Sequence, residues 1–141
     1  MPAMKNSASA QREPSVRRVR ILLVDEDPRD LSNYREALER QQCEVGTTSS
    51  YGDAIQRLAS ERFDFVVMDQ GRDPFEWRAV VEQATGSGRR TPVLVLARCH
   101  DVVRYLEAMQ LGAVDYLEKP LSASQLIGVV RAYLPRHFAA A

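Results

Sequence analysis

Four residues stand out for the chemistry they could do together: Asp25, Glu26, Asp69 and Lys119. Asp69 ends the apolar run Phe63-Asp64-Phe65-Val66-Val67-Met68, and Asp25 and Glu26 follow Val19-Arg20-Ile21-Leu22-Leu23-Val24. Lys119, followed by Pro120, ends a third run, Gly112-Ala113-Val114-Asp115-Tyr116-Leu117-Glu118. Carboxylates brought together repel and raise one another's pKa unless a cation neutralises them. An oxygen-only donor set suits a hard divalent ion such as Mg²⁺. A lysine at a strand end offers a compact point charge to a phosphoryl or carboxylate group. Read singly, each residue has an ordinary alternative: Asp69 as the cap of a following helix, Lys119 as a solvated surface lysine. Lys119 is nonetheless the only lysine after Lys5.

The combined reading needs elements that bring the run ends to one place. Short runs rich in Val and Phe, bounded by charge, read as strands buried on both faces. Strand one is Val19 to Val24. Asp27-Pro28 starts helix one, an N-cap acceptor before a residue suited to the first helical position, and Leu31, Tyr34, Arg35 and Leu38 recur at helical spacing to about Gln41. Glu44 to Thr48 is a weak strand two. Helix two runs from Tyr51 to Glu61 with Ala54, Ile55, Leu58 and Ala59 inward. Strand three is the run that ends at Asp69. Gln70 to Pro74 is a loop by composition, and helix three, Phe75 to Ala84, turns Trp77, Val80, Val81 and Ala84 inward.

Thr85 to Arg90 is a flexible connection, and Pro92 opens strand four, Val93 to Ala97. Asp101 caps helix four, whose inward residues are expected to be Val102, Leu106 and Met109, with Gly112 at its end. Strand five is Ala113 to Leu117. Ser122 caps helix five, with Leu126, Ile127, Val130 and Leu134 inward and Pro135 beyond. Strands alternating with helices over short connections predict an α/β fold with a parallel sheet covered on both faces. Right-handed crossovers make it doubly wound, and 2-1-3-4-5 is the common order for five strands. Strands one and three are then neighbours, and the switch point between them gathers Asp25, Glu26 and Asp69 where such sheets hold their ligands.

Composition sets bounds. With 141 residues, 45% hydrophobic and 27% charged, the chain is expected to form one globular domain. Lysine plus arginine equals aspartate plus glutamate at 19 each, so nothing global points to nucleic acid. Arg17 and Arg18 lie in a basic N-terminal stretch, read as a solubilising tail or a phosphate or partner contact. Cys43 and Cys99 form no C-x-x-C pair, which suits a reducing cytoplasm. No apolar run approaches the ~20 residues of a membrane span, and the N-terminus has no signal-peptide core. The expected organisation is a disordered leader over 1–16, a folded unit over 17–136 and a tail over 137–141.

Four motifs in order, Ile21-Leu22-Leu23-Val24-Asp25-Glu26-Asp27-Pro28, Asp64-Phe65-Val66-Val67-Met68-Asp69, Pro92-Val93-Leu94-Val95-Leu96 and Gly112 to Pro120, resemble the receiver domain of bacterial two-component response regulators. The likeness runs from about Val19 to Leu134. It implies a flavodoxin-like three-layer sandwich. It implies that Asp69 accepts a phosphoryl group from a phosphohistidine of a sensor histidine kinase or phosphotransfer protein. Asp25 and Glu26 match the acidic pair that holds Mg²⁺, with Asp69 and the Gly71 carbonyl; Lys119 matches the lysine that pairs with Asp69 or its phosphoryl group. Tyr116 matches the aromatic whose rotamer reports the switch, and it would otherwise simply pack on helix four. The face of helix four, strand five and helix five, with Arg104, Tyr105, Glu107 and Arg131, is the expected contact for an output protein or a second copy. No membrane or direct nucleic-acid contact is expected.

The chain departs from the family pattern where phosphorylation is coupled to shape. Ala97 stands at the end of strand four where the family usually has Thr or Ser, and Arg98 takes a position that is normally small. Pro74 comes one residue late after Asp69, and Trp77 replaces an expected Gly. Arg98 could bind a phosphoryl oxygen, lie over Asp69 as a lid, or pair with Asp101. The expected function is a stand-alone, non-enzymatic phosphoacceptor that signals by protein contact, since Ala141 leaves no room for an output domain unless the chain is an excerpt. The alternative is a receiver-like interaction module that works without phosphate. A flavin carrier fits poorly, because Asp25-Glu26-Asp27 would repel a flavin phosphate. No Ser-His-Asp set or Walker loop is present, and His100 and His137 are isolated.

Overall fold

The helices begin and end where local hydrogen bonding requires. A computed structural model of the chain describes residues 17–86, 88 and 90–134. The expected leader, Pro135 and the tail lie outside these residues. In chain order the elements are β1 (Arg20–Val24), α1 (Pro28–Arg40), β2 (Glu44–Thr48), α2 (Tyr51–Ser60), β3 (Phe65–Asp69), α3 (Glu76–Thr85), β4 (Val93–Ala97), α4 (Val102–Leu111), β5 (Asp115–Glu118) and α5 (Ala123–Tyr133). The side chains of Asp27, Ser50, Asp101 and Ser122 accept N–H bonds at the starts of α1, α2, α4 and α5. Ser122 and Gln125 form a reciprocal capping box. Asp73 takes over at α3, accepting from the N–H groups of Phe75 and Glu76. Gly112 closes α4 at φ +103°, a left-handed conformation that suits glycine.

The sheet is parallel, in the order β2-β1-β3-β4-β5. Its central strands β3 and β4 are buried at every position. Alternate side chains serve two cores, one on each face. Leu22, Val24, Val66, Met68, Val93 and Val95 pack with Trp77, Val80 and Val81 on the side of α2, α3 and α4. Ile21, Leu23, Phe65, Val67, Leu94 and Leu96 pack with Tyr34, Leu38, Leu126 and Val130 of α1 and α5. This is the flavodoxin-like sandwich expected, with the expected strand order. Trp77 is fully buried, and its indole N–H donates to the Pro74 carbonyl at 3.1 Å.

Several expectations are corrected. On α4, Val102, Leu106 and Met109 are exposed, Leu106 at 52%, and Ala108 is the buried residue, flanked by the partly buried Tyr105 and Leu111. Two apolar stripes run along α4, and the one bearing Ala108 brings the helix onto the sheet. On α1 the buried position is Ala37 rather than Arg35, which is exposed and bonds Glu39; on α2, Ala59 is exposed. β3 starts at Phe65 because the Asp64 carboxylate is turned to the Arg20 N–H and the Arg17 guanidinium. Arg17 is therefore held against the domain, and Arg20 pairs with Glu44 and Glu61.

Leu126→Ala should cost about 2–5 kcal/mol in urea unfolding, as a buried large-to-small change does. Leu106→Ala should stay within about 0.5 kcal/mol of the parent, as exposed changes do. A large loss at Leu106 would place α4 in a different rotation.

Candidate functional site

The carboxyl ends of β1, β3 and β5 meet at one rim, and the Lys119 side chain joins them. Its ammonium lies 2.8 Å from Asp25 Oδ2, 3.0 Å from Asp69 Oδ1 and 2.6 Å from Asp30 Oδ2. The Lys119 side chain is 7% exposed, so its pairs with Asp25 and Asp69 are shielded from water, while Asp30 stands partly in solvent. The peptide between Lys119 and Pro120 is cis. The Lys119 N–H donates to the Ala97 carbonyl, which carries the β4–β5 ladder to the rim.

Each buried carboxylate has both oxygens engaged. Asp25 Oδ1 accepts the Asp27 N–H at 2.9 Å, and Asp69 Oδ2 accepts the Gly71 N–H at 2.8 Å. Burial pushes the Asp25 carboxyl above its ordinary range, against the downward pull of Lys119 and the Asp27 N–H. Burial alone would lower the Lys119 ammonium, but its bonds to Asp25, Asp30 and Asp69 outweigh it and hold the pKa above the usual lysine range.

Glu26 is placed differently. It is exposed and lines the mouth of an open cleft of about 160 Å³ with Asp69, Gln70, Gly71, Arg72 and Arg98. Among the described residues, no group of three His, Cys, Asp or Glu side chains is arranged to hold a metal ion. The Lys119 ammonium lies between Asp25 and Asp69, and Glu26 stands at the mouth of the cleft. The donor set nonetheless suits a hard cation. It is all oxygen, Glu26 makes no ion pair or hydrogen bond among the described residues, and Gly71 lines the same cleft.

Of the remaining expected residues, Arg98 lines this cleft. Ala97 is buried at the end of β4. Arg98 is exposed on the cleft wall beside Arg72 and, among the described residues, pairs with neither Asp69 nor Asp101. Asp101 instead caps α4. Tyr116 is turned inward, 2% exposed, with Tyr105 and His100 meeting its ring edge-on at 6.0 and 5.5 Å. Of the residues expected on an interaction face, Glu107 pairs with Arg78 of α3 and Arg131 bonds Gln41, so both face neighbouring elements.

Three contributors were not apparent from the sequence. Asp30 is a third anion for Lys119, lying in the first turn of α1, where an acidic residue also suits the helix dipole. Gln70 is buried beside Asp69 and accepts the Tyr116 hydroxyl. Tyr51, at the start of α2, donates its hydroxyl to the Asp69 carbonyl at 2.6 Å. Gly71 lies against that ring at φ +77°, and a Cβ there would come within 2.5 Å of the Tyr51 hydroxyl. Only the pairing of the acidic run ends with a lone lysine gave a sequence signal.

The chain matches the family described as response regulator receiver domain over residues 21–131. It is 32% identical over 118 residues to response regulator MprA of Mycobacterium tuberculosis, covering 84% of this chain and 51% of that protein. The chain therefore spans about half the length of the curated relatives it matches. Among solved structures it is similar to a CheY-like receiver domain protein from Methanospirillum hungatei, with a TM-score of 0.79 and 20% identity, covering 89% of this chain and 100% of that one. A receiver domain from Clostridium thermocellum aligns with a TM-score of 0.75 and 23% identity over 87% of this chain and 99% of that one.

The folded-state pKa of Lys119 lies above the ordinary lysine value of 10.5. Its stabilisation is therefore complete below pH 10.5 and is lost as pH rises through the folded value. Lys119→Met should lose this alkaline component in urea unfolding. At neutral pH it should be destabilised by about 3 kcal/mol or more, because buried carboxylates are left without their cation. An unchanged alkaline slope in the variant would place the titrating group elsewhere.

Proposed function

The chain belongs to the response regulator receiver family of two-component systems, and on that premise we propose that Asp69 is its phosphoacceptor. Phosphorylation on aspartate and Mg²⁺ binding at an acidic site are general properties of this family. What carries the reading for this chain is the buried Lys119 ammonium shared by Asp25 and Asp69 at the β1/β3 switch point.

The chemistry is transfer from a phosphohistidine of a sensor kinase or phosphotransfer protein. An Asp69 carboxylate oxygen forms the new P–O bond, the P–N bond breaks, and its electron pair returns to the imidazole. The rigid end of β3 and the Gly71 N–H orient the carboxylate. Lys119, already bonded to Asp69, stays within reach of a phosphoryl oxygen and stabilises charge there. Asp25, Glu26, Asp69 and the Gly71 carbonyl are the groups that would hold Mg²⁺. When bound, the ion neutralises charge on the transferring group. Arg72 and Arg98 flank the cleft and favour an anionic donor at its mouth.

Signalling would follow through protein contact, with the exposed Val102, Val103 and Leu106 of α4 as the apolar part of a surface for an output protein or a second copy. No described helix is long and apolar enough to cross a membrane. The reading is of a cytoplasmic signalling domain whose catalysis is limited to its own phosphoryl chemistry. The second reading, an interaction module that works without phosphate, rests on the same exposed α4 residues and predicts that partner binding survives Asp69→Asn.

Incubation with Mg²⁺ and a small acyl-phosphate donor should add one phosphoryl mass to the parent and none to Asp69→Asn. Equal labelling of Asp69→Asn would move the acceptor elsewhere. Glu26→Gln should weaken Mg²⁺ binding in a calorimetric titration by about tenfold, equivalent to about 1.4 kcal/mol. An unaltered titration would remove Glu26 from the ligand set.

A further inference from the structure

We propose that the Gln70 carboxamide links a phosphoryl group on Asp69 to Tyr116, with Nε2 donating to a phosphoryl oxygen while Oε1 holds the Tyr116 hydroxyl. The proposal rests on the phosphoacceptor reading of Asp69. Gln70 is 8% exposed, yet it lines the same cleft as Asp69. Its backbone N–H continues the ladder by donating to the Leu96 carbonyl, so the residue is fixed to the rim. The Tyr116 hydroxyl donates to Oε1 at 3.3 Å. Nε2 is buried and, among the described residues, has no hydrogen-bond partner. A buried donor without an acceptor is costly and rare in native structures, so one beside a reactive carboxylate calls for an acceptor that arrives later.

A phosphoryl group on Asp69 is such an acceptor. It extends from the adjoining residue into the cleft that Gln70 lines, bringing charged oxygens to a neighbourhood whose β4 strand ends in Ala97, a residue without a hydroxyl, and whose outer wall carries the exposed Arg98. Hydrogen bonds to charged oxygens are the stronger kind. Because one planar amide carries both bonds, rotating Nε2 toward the phosphoryl group moves Oε1 and the hydroxyl attached to it. Tyr116 packs edge-on against Tyr105 of α4, so the displacement reaches the element that carries the exposed apolar residues. The two ends are thermodynamically coupled: what the phosphoryl group does to Tyr116, Tyr116 does to the phosphoryl group.

The test uses the whole chain with Mg²⁺ and beryllofluoride as the phosphoryl mimic. Affinity is measured by calorimetry, and the Tyr116 ring is followed by NMR. The parent should bind, and its Tyr116 resonances should shift. Gln70→Met, which keeps the volume and removes the amide, should bind about tenfold more weakly, the loss expected for one hydrogen bond to a charged group. Its Tyr116 shift should disappear. Ala97→Thr, which supplies a hydroxyl from β4, should raise affinity more in the Gln70→Met background than in the parent, because in the parent Nε2 already serves those oxygens, and equal gains in both backgrounds would overturn the direct contact. Tyr116→Phe, which keeps the ring, should also weaken binding, and it serves if Gln70→Met does not fold. Unchanged affinity in Gln70→Met, or in Tyr116→Phe when that variant serves, overturns the link while leaving Asp69 as the acceptor. A parent that neither binds beryllofluoride nor gains phosphoryl mass overturns the phosphoacceptor reading itself.

Discussion

An ammonium ion shut away from water must have its charge answered, and the answer given to Lys119 fixes the rim. Asp25, Asp30 and Asp69 come from the end of β1, the first turn of α1 and the end of β3, while the lysine comes from the end of β5. Removing any partner changes the electrostatics of the rest, because buried charges are tolerable only in pairs or networks. The reactive end of the sheet is therefore one electrostatic unit rather than four adjacent side chains.

The scaffold beneath it is apolar and of low polarity throughout. Two cores divide the strand residues by parity, and β3 and β4 are buried along their whole length. Such strands give the residues at their ends a rigid support, and positioning of reacting groups is where much of a barrier can be lowered. At the rim, Tyr51, Gln70 and Tyr116 add polar bonds between the end of β3 and the α2 and α4 side of the sheet. Asp69 is thereby held at both its side chain, by Lys119 and the Gly71 N–H, and its carbonyl, by Tyr51.

Much of this was legible in the sequence. The apolar runs, their acidic or lysine ends and the cap residues gave the strand order, most element boundaries and the meeting of Asp25, Asp69 and Lys119. What escaped had physical reasons. The α4 sequence carries two apolar stripes, and periodicity cannot choose between Leu106 and Ala108 when the smaller residue allows the closer approach. Asp30 read as a first-turn acid, which dipole preference already explains. Gln70 read as loop by composition, because burial of an amide depends on a tyrosine 46 positions away. Glu26, which follows Asp25 directly, was expected beside it, but the turn after β1 sends the two side chains to different depths.

Gly71 carries a consequence for how this site can change over generations. Its left-handed backbone and the Tyr51 hydroxyl above it exclude a side chain for two independent reasons. Shortening Tyr51 would relieve the crowding but not the backbone strain, and it would strip the Asp69 carbonyl of its bond. No single intermediate is neutral, so the two positions are bound into one heritable unit. Arg72 and Arg98, which stand in solvent on the cleft wall, are under neither constraint.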